Sequence, residues 1–125
     1  MEAAARKEHI KWNIMQNPID ITIQRTEKIR SGGGFSETIS TLGPFAVRIY
    51  ANESRIQRSE SGLIGSQQKN FWGLLADDQA DIKAGSNVID VFDVPGLGHF
   101  YVVNVYPQVV NGELVGYHVD LERID

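Results

Sequence analysis

Over its last third the chain alternates almost without error between apolar and polar residues. In Leu114–Ile124, Val115, Tyr117, Val119 and Leu121 fall on one face and His118, Asp120 and Glu122 on the other. A period of two marks a half-buried strand with one wet side. Val88–Val94 and Phe100–Tyr106 precede it as two further strands, joined by Pro95-Gly96-Leu97-Gly98. Asn111-Gly112 is a hairpin turn of the strongest sequence type. Nearer the N-terminus, Ile19, Ile21 and Ile23 alternate with Asp20, Thr22 and Gln24. Phe45, Val47, Ile49 and Ala51 alternate with Ala46, Arg48 and Tyr50. Between these runs, Ser31-Gly32-Gly33-Gly34 predicts a hairpin tip. Phe35–Leu42 reads as extended, Gly43-Pro44 as a break, and Phe71–Asp77 as a strand carrying Trp72, Leu74 and Leu75. The alternation assigns Ile21, Ile23, Val47, Ile49, Phe92, Val102, Val115, Tyr117, Val119 and Leu121 to the core.

Two stretches do not follow this period. Residues 2–16 hold Ala3, Ala4 and Ala5, an i, i+4 pair of Glu2 with Arg6, and Ile10 and Ile14 on a shared face, which predicts a helix. Asn17-Pro18 should end it. Residues 52–70 are polar with no sustained period, and Ile56, Leu63 and Ile64 are their only large apolar side chains. So little burial does not offset the entropy of ordering nineteen residues, so a mobile insertion is expected. The chain therefore divides into a helix or arm at 1–17 and a β-domain at 18–125 with loop 52–70 inserted. Regular turn spacing predicts an all-β fold, a small antiparallel barrel or sandwich of six to seven strands.

Composition narrows the chemistry. The 125 residues suit one domain, and 42% hydrophobic with 22% charged content is ordinary for a globular protein. Zero cysteines removes disulfides, thiolate catalysis and cysteine-based zinc sites together. No apolar run reaches membrane-spanning length and the N-terminus has no signal-like apolar region, so residence in the cytosol is expected. Net charge is −4, but residues 1–69 carry 10 Lys/Arg against 7 Asp/Glu, whereas residues 70–125 carry 2 against 9. Barrel strands that interleave in space would blend this split over the surface; a molecule with a basic and an acidic side would instead suit head-to-tail assembly.

The candidate constellations are weak. His99 and His118 lie on neighbouring strands with Asp120 near, but a metal needs three or four ligands that converge, and two histidines and an aspartate on a wet sheet face read as solvated surface. Ser31–Ser36 is followed by an extended segment rather than a helix and lacks the lysine of a phosphate loop at the required spacing. Asp77, Asp78 and Asp81 lack the Gly and Glu of a calcium loop. Trp72, Phe92, Phe100, Tyr101, Tyr106 and Tyr117 would stack bases on an oligonucleotide-binding barrel only if interleaved with cations. From residue 70 on, Lys83 and Arg123 are the only ones, and core packing accounts for these rings better. No enzymatic activity, metal or cofactor is expected.

The wording of the chain resembles the small head-closure or head–tail joining proteins (stoppers and adaptors) of tailed-phage necks, of the type in PBSX-like Bacillus prophages. The matching segments are "PIDITIQR", "SGGGFSET", "FAVRIY", "DIKAGSNVIDVFDVPGLGHFYVVNVYP" and "GYHVDLERI", covering roughly residues 18–124. The helix is an addition to that pattern. The resemblance implies a β-barrel subunit forming a ring at the head–tail connector, helping to close the head and join it to the tail. Implied partners are other copies of itself, portal or adaptor and tail-completion proteins, and packaged double-stranded DNA that passes without sequence-specific binding; no membrane is implied. The host cytoplasm during assembly and then the virion neck are the implied locations. The long loop would face the channel, with Asn52, Arg55, Arg58, Leu63, Ile64, Gln67 and Lys69 as channel or assembly residues. The alternative from the residues alone is a monomeric OB-like barrel binding a short nucleic acid or peptide.

Overall fold

The computed structural model describes residues 2–51 and 71–124. One helix, α1 (Ala3–Met15), precedes six strands: β1 (Ile19–Ser31), β2 (Gly34–Ala51), β3 (Phe71–Asp77), β4 (Val88–Val94), β5 (Gly98–Val110) and β6 (Glu113–Arg123). They close into an antiparallel barrel in the order β1-β2-β3-β6-β5-β4. Closure removes most of the open edges that a flat sheet would expose.

Both anticipated hairpin tips are present. Gly32-Gly33 and Asn111-Gly112 all have positive φ, the geometry a two-residue turn needs to follow the twist of its strands. Gly43-Pro44 does not break the chain as expected. The register between β1 and β2 shifts at Ile21/Ile23 opposite Phe45/Leu42. A bulge therefore absorbs the two residues, and Phe35–Leu42 and Phe45–Ala51 form one strand of 18 residues.

The alternating positions deliver the core. Ile21, Ile23, Val47, Ile49, Phe92, Val102, Val119 and Leu121 are buried in one cluster with Leu74 and Phe100, and half-buried Tyr117 packs against it. Val115 is buried elsewhere. In the β5–β6 ladder Gln108 pairs with Gly116 and Val109 with Leu114, so Val115 is the extra residue of a bulge. It joins Leu75 and the helix residues Ala3, Ile10 and Ile14 in a second cluster. A Cβ on Gly116 would lie 2.7 Å from the Ala76 carbonyl and 3.0 Å from Ile10, so the close seat of α1 depends on this glycine.

Strand direction divides the connections between the two ends of the barrel. The β1–β2 and β5–β6 turns and the β3–β4 connector lie at one end. The β4–β5 turn and the ends that border residues 52–70 lie at the other. β3 and β4 stand on opposite sides of the ring of strands, so their connector must cross the barrel mouth. It does so with Ala80 and Ile82 turned into the core.

Candidate assembly surfaces

The sealed mouth is held by the main polar network of the interior. Arg25 continues the inward phase of Ile21 and Ile23, and Asp90 has the inward phase of Phe92; both are buried. The Arg25 guanidinium donates to both Asp90 carboxylate oxygens, Nε at 2.8 Å and Nη2 at 2.9 Å. Nη2 also reaches the Asp81 side chain at 3.0 Å, and the Lys83 backbone N–H donates to Asp90 at 2.7 Å. The hydrogen bond with Asp90 holds the Arg25 pKa well above its ordinary value, although burial acts the other way. Two-pronged Arg–carboxylate geometry fixes direction as well as charge. The network thus fastens the connector across the mouth. The sequence carries a signal for it, a cation and an anion each at a core-phase position.

Beyond that mouth the two hairpins run on as arms. β1 pairs with β4 only from Gln24 to Glu27, but with β2 as far as Ser31–Gly34. β3 meets β2 only at Arg48–Ala51. The outer face of this arm is apolar at Phe35 (69% exposed), Ile39 (71%) and the adjoining Ile89 (50%). The Arg30 guanidinium lies 5.6 Å from the centre of the Phe35 ring, a cation–π distance. The second arm, β5–β6, exposes Val103 and Val109, and β5 meets β4 only over Gly98–Tyr101.

At the opposite end, Ala51 pairs with Trp72 on the neighbouring strand. The described ends that border residues 52–70 therefore lie on adjacent strands at the end away from the arms. The expected assembly residues Asn52, Arg55, Arg58, Leu63, Ile64, Gln67 and Lys69, and the expected mobility of their loop, lie outside the described residues.

The remaining sequence candidates are dispersed. His99 pairs with Asp93, both exposed. They line a shallow cleft of about 440 Å³ with Asp20, Thr22 and Gln24. His118 sits opposite Leu75 and Tyr106, and the cleft it lines beside Arg48 and Tyr50 is a separate one. Asp81 serves Arg25, Asp78 faces Lys7 at 3.5 Å, and Asp77 accepts from the Gln79 N–H. Among the described residues no three His, Asp or Glu side chains converge on a common point fit for a metal. Phe92 and Phe100 stack inside the barrel and Trp72 meets Phe100 edge-on, so these rings are core. Among the described residues no helix is long and apolar enough to cross a membrane. Compared with known protein families, curated proteins and solved structures, the chain finds no match.

Proposed function

We propose that this chain is a structural subunit of a tailed-phage neck, assembling into a ring at the head–tail connector that helps close the head and join it to the tail. The observation that supports the reading is the distribution of surfaces on a closed barrel. Its polar interior network serves to fasten a connector, while its two arms carry exposed Phe35, Ile39 and Val109 at one end; Trp12 and Met15 on the helix and Ile124 are exposed elsewhere. That is an economy of contacts with other proteins rather than of chemistry on a small molecule. The sequence resemblance supplies the identity of those proteins: further copies, portal or adaptor proteins, and tail-completion proteins. The role is structural, taken up in the host cytoplasm and retained in the virion neck. The acidic second half of the chain would let packaged DNA pass without capturing its phosphates.

The alternative, a monomeric OB-like barrel binding a short nucleic acid or peptide, has fewer rings to offer than the sequence suggested, because Phe92 and Phe100 lie inside the barrel while Tyr106 is exposed. The test is electron microscopy of particles from an induced prophage strain deleted for this chain. Tailless heads and free tails are expected. Complete particles lacking the protein would overturn the reading. Deleting residues 54–67 tests the loop: folded protein and filled heads that leak DNA are expected, whereas heads that retain their DNA would refute a channel role for it.

A further inference from the structure

We propose that copies of this chain join head to tail by strand pairing, the β2 edge of one against the β5 edge of the next. The inference deepens the ring reading above and rests on it for the closing of the chain of copies into a ring.

The β2 edge is open and unguarded. The two-residue turn makes Ser31–Gly34 the first bonded pair of the hairpin, so Ser36, Thr38 and Ser40 bond to β1. Phe35, Glu37, Ile39 and Thr41 then turn their N–H and C=O groups away from it. Lys28, opposite Glu37, follows the same alternation: its N–H leaves the hairpin for the Asn87 carbonyl at 2.9 Å. No strand among the described residues pairs with β2 between Gly34 and Val47 on this side. Proteins commonly protect such edges with proline, lysine or a bulge, and Gly34–Leu42 contains neither residue. Its Phe, Ile, Ser and Thr content favours extended structure.

A second edge of similar length exists on β5, beyond Tyr101, where no described strand pairs on the β4 side. Topology makes the two edges complementary. β2 and β5 stand three places apart in a ring of six strands, hence on opposite sides. Each is open toward the same sense of rotation, so in space their edges face opposite directions. Both arms extend past the same end, and β2 runs away from it while β5 runs toward it. Copies related by rotation about an axis along the barrel therefore meet β2 to β5 in antiparallel fashion with their barrels side by side. Heterologous contacts of this kind make a ring when the rotation between copies closes and an open filament when it does not.

Side chains agree with this pairing. Residues 28–40 carry Lys28, Arg30 and Glu37, net +1, and residues 103–120 carry Glu113 and Asp120, net −2. A register that sets exposed Phe35 opposite exposed Val109 places Ile39 opposite Val105. Pro107 on the β5 edge accepts but cannot donate, which limits the registers available. Pairing β2 with another β2 about a two-fold axis is less suitable: matching Phe35 to Ile39 sets Glu37 against the partner's Glu37.

The absence of cysteine makes the test clean. The full chain carrying Phe35→Cys and Val109→Cys is oxidised in solution and run under denaturing, non-reducing conditions. The two positions are on opposite sides of one barrel, out of reach of an internal disulfide. A ladder of dimers, trimers and higher species is expected, and each single variant should give none. Adding Ile39→Lys should abolish the ladder while the unfolding midpoint stays unchanged. A double variant that remains monomeric, or Phe35→Cys alone giving as much dimer, would overturn the proposal. If rings of this chain are seen in virion necks without a ladder, the interface alone fails. If the ladder forms but particles mature without the chain, the neck reading alone fails.

Discussion

The strand β2 repeats similar residue types along its length, and its two halves meet opposite surroundings. Val47 and Ile49 lie between β1 and β3 and are buried, whereas Phe35 and Ile39 have β1 on one side and are more than two-thirds exposed. Intrinsic preference does not distinguish them, since both halves favour extended backbone. What differs is the face as well as the neighbours: after the bulge Leu42 and Ser40 take the inward phase opposite Ile23 and Arg25, so Phe35 and Ile39 point outward, where topology provides only β1 beside them. β3 is only seven residues long and β2 is 18, so the surplus of β2 is carried out of the barrel. Apolar side chains on that surplus are open to contacts between molecules, while those on the paired half build the core.

The boundary between the halves is the place to break the comparison first. Arg25 pairs with Ser40 on β2 and with Asp90 on β4, where the barrel becomes the arm. Arg25→Ala leaves the buried Asp90 carboxylate without its cation, and removing one partner of a buried pair costs about 3–5 kcal/mol. Chemical denaturation should show a loss of this size. A loss below about 1 kcal/mol would mean that water replaces the guanidinium at the mouth.

Within β2 itself the two halves should respond differently to one kind of truncation. Ile49→Ala opens a cavity in the barrel and should destabilise by about 2–5 kcal/mol. Ile39→Ser removes a side chain that is 71% exposed and should stay within about 0.5 kcal/mol of wild type. Equal losses at the two positions, read from denaturation midpoints, would show that the arm is part of the folding core.

Much of this contrast was legible in the sequence, and its limits have physical causes. Period-two patterning identified the strands, both hairpin turns and the inward faces, because a strand with one wet side shows its geometry in every second residue. The pattern does not record which strand lies beside which. The continuity of β2 through Gly43-Pro44 is therefore not visible in the pattern: those residues end a strand by local preference, but a bulge keeps both flanks paired to β1. Val115 kept the correct phase yet serves the helix cluster, because a bulge adds a residue without altering hydropathy. The Arg25–Asp90 pair joins positions 65 apart, and only the closed barrel brings them together. The exposed arm leaves no mark in the pattern, because Phe35 and Ile39 have the same alternation a buried strand would have.

The smallest expected effect belongs to the paired half of β2 and appears only at alkaline pH. Tyr50 lies over Gly73, where an added Cβ would fall 2.5 Å from the ring. Burial, followed by the negative charge of Asp120, raises its pKa above the ordinary 10.0. Folded protein therefore holds the phenolic proton more tightly than unfolded chain. By linkage, the stability present below about pH 10 falls as pH rises from the unfolded pKa toward the raised folded value. Tyr50→Phe keeps the ring over Gly73 but has no proton to lose, so this part of the decline should vanish. Denaturation series for the two proteins should run parallel below pH 10 and diverge above it, with wild type falling faster. Parallel curves throughout would mean that the Tyr50 hydroxyl is solvated as freely in the barrel as in the unfolded chain.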